Sequence, residues 1–477
     1  MMLKITSTPE IKKGISLIYL IKNAHDLKKS AFSEVELEYI KTQTEKNKKS
    51  IQINSYSHWS YIQVLEEEKE DYKTHEKLRR AAGTLYSTLK ENKHSEIILV
   101  DLSNNASYIK AFTEGLALSH YQFLKYFTKQ DEKINTLKEI FIYSDKITNE
   151  EIKHVSVITE AVYKVKDLVN EPVSFLNTET FCAEIRKLGQ KANFDLEILN
   201  KKQIEALKMN GLLAVNKGSI DPPAFSILTW KPENAKNTKP YILVGKGIVY
   251  DTGGLNIKTG NYLDDMKSDM AGGAAVAGTI FALAKLKLPI YIIGLIPITD
   301  NRLNGNSLAP DDIITMHNGT TVEVKNTDAE GRLILADALS FAQKYNPELV
   351  IDIATLTGSA QVAISNLGMV GLSNCTNDYF EKLKSSGNNV YERIVEFPVW
   401  DEYNEMLKSD IADIKNIGGR EAGAITAAKF LQHFTDYNWI HLDIAGCAFL
   451  NKPDNYRGNG ATGVTVRLLY DFFMNQM

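Results

Sequence analysis

Apolar residues follow two different patterns along the first third of the chain. Three short apolar runs bounded by charged residues predict buried strands, and they cover Gly14–Ile21, Glu96–Leu102 and Glu139–Tyr143. Between and before them, apolar residues recur at helical spacing over Leu78–Leu89 and Tyr108–Phe127. Because strands that alternate with helices form βαβ units, this part of the chain is predicted to be an α/β domain with a mostly parallel sheet.

A longer stretch of helical spacing follows and ends at Glu171-Pro172. We interpret residues 151–170 as a linker helix between two domains. The chain has 477 residues, which is too long for one ordinary domain. The predicted boundaries are therefore 1–150 for the N-terminal α/β domain and 171–477 for a larger catalytic domain.

The larger domain is richer in glycine and small residues, and its apolar runs are short enough for central strands. The predicted strands and helices are, in chain order, Tyr241–Val249, the small-residue helix Ala271–Leu286, Ile290–Pro297, the helix Arg332–Tyr345, Leu349–Ala354, the helix Ala424–Phe434 and His441–Ile444. This order predicts a three-layer α/β/α domain with a mostly parallel or mixed central sheet. In such sheets, sites form outside the carboxyl ends of the strands.

Composition excludes several classes of partner. With 55 Lys and Arg against 59 Asp and Glu, the formal net charge is -4, so no strong field favours nucleic acid. No window offers the roughly 20 apolar residues of a membrane span, and the N-terminus lacks a signal-peptide pattern. The three cysteines lie far apart, which suits reduced thiols. We therefore expect a cytoplasmic protein without a membrane or nucleic-acid partner.

Acidic side chains interrupt apolar segments in the larger domain. They lie in the segment 243–258, in the loop 326–333 and between the two, and they are Asp251, Asp269, Asp328 and Glu330. If they converge in one pocket, their like charges repel and shift the carboxyl groups toward protonation. Two dications would neutralise them, and carboxylate oxygens suit magnesium, manganese and zinc. The sequence thus predicts a site for two metal ions.

Lys246 is the unusual member of this group, because it interrupts an apolar run and lysine is rarely buried unless it is paired. A lysine can ligate a metal only when it is neutral. At pH 7 the neutral form costs about 4–5 kcal/mol, and metal binding at structural zinc sites exceeds this, on the order of 10 kcal/mol. The alternative is a charged lysine paired with a carboxylate, and the spacing fits both.

Two metal ions about 3.5–4 Å apart can share a water molecule, lower its pKa and polarise a carbonyl. Lys258 and Arg332 would add positive charge, one for a developing oxyanion and the other for an anionic base or substrate group. This arrangement predicts hydrolysis of an acyl or phosphoryl bond. Taken singly, each residue has a simpler interpretation: Asp251 as a turn residue, Asp328 as a helix cap and the two basic residues as surface charges.

The motifs together resemble the leucyl aminopeptidase family of cytosolic dinuclear metallopeptidases. The matching segments run in order from about 243 to 446 and read LVGKGIVYDTGGLNIK, MKSDMAGGAA, NTDAEGRLILADAL, ATLTG, GGREAGAITAAKFL and HLDIAG. NTDAEGRL is highly specific. The first 150 residues show no such motif, and the family's N-terminal domain is extended over them by length and position.

The resemblance implies a role for each residue. The ligands of a tightly held metal would be Lys246, Asp251, Asp269 and Glu330, and those of an exchangeable metal Asp251, Asp328 and Glu330. The metals would be zinc or manganese, with magnesium or cobalt as alternatives. Lys258 would polarise the scissile carbonyl, and Arg332 would anchor a bicarbonate ion that serves as general base. The implied substrate-binding residues are Met266, Asn326, Thr355, Leu356, Gly358 and Ala445.

The same resemblance implies a metal-dependent aminopeptidase, a hydrolase that removes the N-terminal residue of short peptides through a hydroxide bridging two metals. Its substrates would need a free N-terminal amine, and the protein would be a homohexamer. Ala448 stands where some relatives carry methionine, which predicts a larger pocket for the first side chain. Two alternatives stay open: a binding or scaffold protein that has lost catalysis, and a phosphoester hydrolase.

Overall fold

The structure, a computed structural model, describes residues 2–29 and 31–477. The chain forms two compact units. The N-terminal unit contains the residues up to Glu160, together with the short segments Asn389–Tyr391 and Pro453–Gly458, and the C-terminal unit contains the rest. The division between the two falls within the predicted linker helix, which extends over Asn149–Asn170.

The described residues of the first part of the chain form six strands and four α-helices. They are β1 (Lys4–Ser7), β2 (Ser16–Ile21), α1 (Glu34–Glu45), β3 (Ser50–Asn54), β4 (Trp59–Val64), α2 (Asp71–Glu91), β5 (Glu96–Asp101), α3 (Ala106–Ser119), β6 (Glu139–Tyr143) and α4 (Asn149–Asn170). The strands form one sheet in the order β1-β6-β5-β2-β4-β3. Every neighbouring pair is parallel except β3 and β4, so the predicted parallel α/β character is confirmed.

The helix predicted over Tyr108–Phe127 is too long at its C-terminal end, because α3 ends at Ser119. Beyond it the chain forms a loop that is closed by side-chain hydrogen bonds. The Gln122 amide donates to the carbonyl of Lys133 at 2.8 Å and accepts the N–H of Asn135 at 2.8 Å. These contacts outweigh the helical spacing of the apolar residues.

The rest of the chain contains fourteen further strands and nine α-helices in the described residues. They are α5 (Thr178–Ala192), β7 (Asp195–Leu199), α6 (Lys201–Ala206), α7 (Asn210–Asn216), β8 (Ala224–Trp230), β9 (Tyr241–Gly245), β10 (Gly247–Asp251), α8 (Ala271–Lys285), β11 (Ile292–Asn301), β12 (Ile313–Thr315), β13 (Thr321–Glu323), α9 (Glu330–Ala342), β14 (Leu349–Ala354), α10 (Gly358–Ile364), β15 (Met369–Ser373), α11 (Tyr379–Val390), β16 (Ile394–Glu396), β17 (Ile414–Lys415), α12 (Gly423–Gln432), β18 (Trp439–Asp443), β19 (Phe449–Leu450), β20 (Gly460–Ala461) and α13 (Val466–Met474).

The large sheet of the C-terminal unit has the strand order β16-β15-β18-β14-β9-β11-β8-β7, and β10 lies beside the end of β11. The central strands β18, β14, β9 and β11 are parallel, whereas β8, β7 and β15 pair in the antiparallel sense. The predicted mixed α/β fold class is confirmed. Among the described residues, no helix is both long and apolar enough to cross a membrane.

Helices cover both faces of this sheet. Ile293 and Leu295 of β11 pack into the same core as Leu335 of α9. Between them, Gly294 faces the other way, where Ile280 of α8 occupies the space that a larger side chain would need. Because successive side chains of a strand point to opposite faces, α8 and α9 pack on opposite faces of the sheet.

A single strand over Tyr241–Val249 was predicted, and this is wrong, because the segment is broken at Lys246 into β9 and β10. The Lys246 N–H donates to the carbonyl of Ile353 at 3.1 Å, and its carbonyl accepts the N–H of Gly273 at 2.8 Å. The lysine is therefore held between β14 and α8 at the point where β9 ends. The break places a charged side chain at the edge of the sheet rather than within its core.

Candidate metal centre

The predicted site residues gather at the carboxyl ends of the central strands. Lys246 follows β9, Asp251 ends β10, Thr355 follows β14 and Ala445 follows β18. Glu330 is the first residue of α9. Because parallel strands point their carboxyl ends toward the same edge of the sheet, segments far apart in sequence meet there.

Three acidic side chains form the centre of this cluster. Asp251, Asp328 and Glu330 each offer a carboxylate oxygen, and these oxygens all lie within 4.8 Å of one another. Asp251 and Glu330 are buried, whereas Asp328 is partly exposed. The fourth, Asp269, joins them through Lys246, whose Nζ lies 2.8 Å from Asp269 and 2.9 Å from Glu330. The structure thus brings all four predicted acidic ligands together.

Two lysines provide the positive charge within the cluster. Lys246 also donates to the carbonyl of Thr355 at 3.0 Å, and Lys258 lies 2.8 Å from Asp251 and pairs with Asp328 as well. Burial disfavours their charged forms, but the surrounding carboxylates outweigh it and raise the pKa of both lysines. In this arrangement Lys246 pairs with Asp269 and Glu330, which are also two of the residues predicted to share a metal with it.

The two lysines do not supply enough positive charge to balance the four carboxylates. Burial, followed by repulsion from Asp251 and Glu330, raises the pKa of Asp328 to about 7. Burial also raises the pKa of Asp251 and of Asp269, while Lys246 and Lys258 overcome it at Glu330 and lower that pKa. Three carboxylates that resist ionisation and a fourth that favours it, beside an amine, form a donor set that fits divalent metal ions.

Asn301 supports the carboxylates from β11. Its side-chain amide donates to Asp251 at 2.8 Å and to the carbonyl of Thr327 at 3.1 Å, and its Nδ2 lies 3.4 Å from Glu330. It was missed in the sequence because the predicted strand stops at Pro297, whereas β11 continues to Asn301. The polar end of this strand was the signal that could have identified it.

Arg332 lies in the first turn of α9 and is buried, with 7 % of its surface exposed. Its Nη1 donates to the carbonyl of Asn416 at 2.8 Å, and its Nε has no hydrogen-bond partner among the described residues. Burial lowers the pKa of Arg332 to about 10. A buried guanidinium with an unused N–H fits a small anion such as bicarbonate.

Two of the predicted substrate-binding residues are tied to the cluster itself. The Thr355 hydroxyl donates to Asp269 at 2.8 Å. Asn326 accepts the N–H of Asp328 on its side-chain oxygen, also at 2.8 Å. Both residues are partly exposed, so each combines a contact to an acidic residue with a surface that a substrate can reach.

Asp443 organises two more of these residues and was missed in the sequence, although it lies within the HLDIAG motif. It accepts the N–H groups of Leu356 and of Ala445, each at 3.1 Å. Of the remaining two, Met266 is partly buried and lies three residues before Asp269, and Gly358 is exposed at the start of α10. The carbonyl of Met266 accepts the N–H of Asp269 at 3.4 Å, whereas Gly358 has no side chain that could contact the cluster.

Two family models match the chain. The model described as the cytosol aminopeptidase family, catalytic domain, matches residues 163–470. The model described as the cytosol aminopeptidase family, N-terminal domain, matches residues 67–130. Together they include parts of both compact units.

Individual proteins of the same description are similar to this chain in sequence, and a solved structure is similar to it in fold. The chain is 44 % identical over 355 residues to a probable cytosol aminopeptidase of Chloroherpeton thalassium. The matched region covers 73 % of this chain and 69 % of the relative. The chain is 40 % identical over 408 residues to one of Geobacter sp. (strain M21), covering 84 % and 82 %. Among solved structures, the bottromycin maturation enzyme BotP in complex with Mn is similar, with a TM-score of 0.85, 26 % identity and coverage of 97 % of this chain and 99 % of that one.

Proposed function

The chain belongs to the cytosol aminopeptidase family, and from this membership we propose that it removes N-terminal residues from short peptides at a centre of two divalent metal ions. Members of the family are hydrolases of the metallo-exopeptidase type, so the enzyme class and the need for metal follow directly. The nuclearity, the metals and the role of each residue are the proposal.

The observation that carries the proposal is the convergence of four carboxylates on two lysines. In the proposed centre, the tightly held metal takes Lys246, Asp251, Asp269 and Glu330, and the exchangeable metal takes Asp251, Asp328 and Glu330. Lys246 would lose its proton to serve as a ligand, since only a neutral amine binds a metal. Zinc or manganese suits this set, with magnesium or cobalt as alternatives.

When bound, the two metals would lower the pKa of a shared water and polarise the peptide carbonyl. Lys258, which is paired with Asp251 and Asp328, would turn its ammonium toward the developing oxyanion once the metals neutralise these carboxylates. The buried guanidinium of Arg332 would hold bicarbonate, and this ion would supply the general base of the reaction.

The substrate is a peptide with a free N-terminal amine. Asn326, Thr355 and Leu356 would line the place where its first residues bind, together with Met266, Gly358 and Ala445. Ala448 lies three residues after Ala445 and is buried. Its small side chain supports a pocket for the first residue of the substrate that is larger than the pocket a methionine would leave. We further propose a cytoplasmic homohexamer, for which light scattering should give six times the mass of the 53.5 kDa chain.

The proposal is tested with leucine-p-nitroanilide and dipeptides in the presence of added Mn²⁺ or Zn²⁺. We expect cleavage by the wild type, and its loss in Asp328→Asn, in Glu330→Gln and after treatment with EDTA, because each change removes a ligand or the metal. Asp195→Asn is the matched control, since Asp195 is an exposed carboxylate at the start of β7.

Full activity of the metal-stripped protein would contradict the proposal, and so would full activity of the Asp328 and Glu330 variants. Hydrolysis of p-nitrophenyl phosphate without peptide cleavage would favour a phosphoester hydrolase instead. A protein that binds two metals per chain yet cleaves no peptide in a broad panel would favour the scaffold alternative.

A further inference from the structure

Asn416 is a fully buried polar residue next to the candidate metal centre, and none of the roles proposed above uses its side chain. It follows the short strand β17, which pairs in parallel with β13. Its N–H donates to the carbonyl of Glu323 at 2.9 Å, which continues the pairing by one residue. Its side chain is thereby directed at the segment that leads into the loop of Asp328.

The side-chain amide of Asn416 pairs with this segment as a peptide group would. Its oxygen accepts the N–H of Lys325 at 2.8 Å and that of Asn326 at 3.3 Å, and its Nδ2 donates to the carbonyl of Asn326 at 2.7 Å. Asn326 in turn accepts the N–H of Asp328 at 2.8 Å. One buried amide therefore fixes the backbone from which Asp328 projects into the cluster.

The main chain of Asn416 also contacts Arg332. The carbonyl oxygen of Asn416 accepts the Nη1 of that guanidinium at 2.8 Å, which is the hydrogen bond that orients the buried cation. Asn416 thus holds both the loop that carries Asp328 and the side chain of Arg332 through hydrogen bonds. A shift of Asn416 would move both groups relative to the other carboxylates.

We propose that Asn416 is a positioning residue that keeps the Asp328 loop and the Arg332 guanidinium in register with the metal centre; this inference rests on the proposed function. Removal of a group that orients metal ligands through hydrogen bonds typically changes metal affinity or activity by about 10–100-fold. The side chain of Asn416 acts on Asp328, which belongs to the exchangeable metal. Loss of this side chain should therefore weaken the binding of the exchangeable metal and leave the binding of the other metal unchanged.

The test compares Asn416→Ala with the wild type in two measurements. The Mn²⁺ concentration that gives half-maximal peptidase activity should rise by about 10–100-fold. After loading with Zn²⁺ and dialysis against a weak chelator, elemental analysis should find about two ions per wild-type chain and about one per variant chain, consistent with the loss of one of two metals. The second measurement does not depend on turnover.

Asn374→Ala is the matched control. The amide of Asn374 also pairs with backbone groups, since it accepts the N–H of Trp439 at 2.8 Å and donates to the carbonyl of Tyr437 at 3.1 Å. These contacts lie at the amino end of β18, away from the carboxyl ends where the centre forms. The control should lose stability in a comparable way but keep both metals and the wild-type Mn²⁺ requirement.

If Asn416→Ala does not fold, Asn416→Asp replaces it, because aspartate keeps the size and the acceptor but cannot donate to the Asn326 carbonyl when ionised. A folded variant with two ions and an unchanged Mn²⁺ requirement would overturn the inference. A wild type that binds no metal or cleaves no peptide would overturn the proposed function itself, so the two failures are distinguishable.

Discussion

At the scale of single residues, Asp337 shows how a buried carboxylate can position part of the fold without belonging to the centre. It lies in α9, seven residues after Glu330, and is fully buried. Its oxygens accept the N–H of Leu212 at 2.9 Å and that of His317 at 3.0 Å. The first of these N–H groups belongs to the start of α7, where backbone donors have no partner within the helix.

Burial raises the pKa of Asp337 to about 7, although the backbone N–H groups favour its ionised form. The folded state therefore holds the proton more tightly than the unfolded chain, whose aspartate pKa is about 3.9. The stabilisation from protonation is complete below pH 4 and is lost as the pH rises through 7, on the order of 4 kcal/mol in total.

We therefore expect the stability advantage of the wild type over Asp337→Asn to shrink as the pH rises from 5 to 8. Urea denaturation of both proteins at each pH, in EDTA to keep metal binding out of the comparison, measures this difference. A difference that stays constant over the range would contradict a raised pKa at Asp337.

The motifs and their family resemblance together were sufficient to name the groups that converge. Taken singly, Asp251 could be a turn residue and Asp328 a helix cap; the resemblance grouped them with Glu330, and the structure brings the three carboxylates together. Asn301 and Asn416 could not be identified in this way. Each acts through hydrogen bonds to segments remote in sequence, 26–91 residues away, and an isolated asparagine gives no sign of such contacts.

At the scale of secondary-structure elements, close packing between backbones decides where the centre forms. Gly272 is the second residue of α8, and a side chain there would collide with the carbonyl of Ile353 in β14. The neighbouring Gly273 donates its N–H to the carbonyl of Lys246. The small residues at the start of α8 thus let the helix approach the strand ends and bring Asp269 within reach of Lys246.

Gly272→Ala should separate α8 from β14 and displace Asp269. Overpacking of this kind costs about 1–3 kcal/mol, and we expect lower thermal stability together with a loss of peptidase activity. Gly305→Ala is the control, because no atom lies within 4 Å of the added carbon at that loop position. Wild-type activity and stability in Gly272→Ala would show that the approach of α8 is not required.

Element types were easier to predict than their ends. The strands Glu139–Tyr143 and Leu349–Ala354 have the predicted bounds, since apolar runs between polar residues mark them clearly. The break at Lys246 was missed because Tyr241–Val249 is apolar on both sides of it. What divides this segment is hydrogen bonding to β14 and α8, and such contacts depend on the assembled sheet.

At the scale of the whole molecule, the alternation of strands and helices was sufficient to predict an α/β fold in both parts of the chain. The antiparallel strands β7, β8 and β15, which lie outside the parallel centre of the sheet, were not predicted individually, because a strand beside a parallel core has no distinct pattern of its own. The convergence of the site followed from the general rule for such sheets, which places sites at the carboxyl ends of the strands.

Charge balance at the centre should couple metal binding to the stability of the folded chain. Four carboxylates face two lysines, so the cluster carries a surplus of negative charge that favours the binding of divalent cations. A ligand that binds only the folded state stabilises it by about 2.7 kcal/mol when its concentration is 100 times its dissociation constant. Loading with Zn²⁺ or Mn²⁺ should therefore raise the melting temperature by several degrees relative to the EDTA-treated protein.

Differential scanning calorimetry at matched ionic strength measures this shift, and Asp328→Asn should show a smaller one because it retains the ligands of only one proposed metal. Asp195→Asn, with an exposed carboxylate far from the strand ends that form the centre, should keep the full shift. An equal shift in the Asp328 variant would mean that the stabilising ions bind elsewhere, since the effect would then be independent of the carboxylate that completes the cluster.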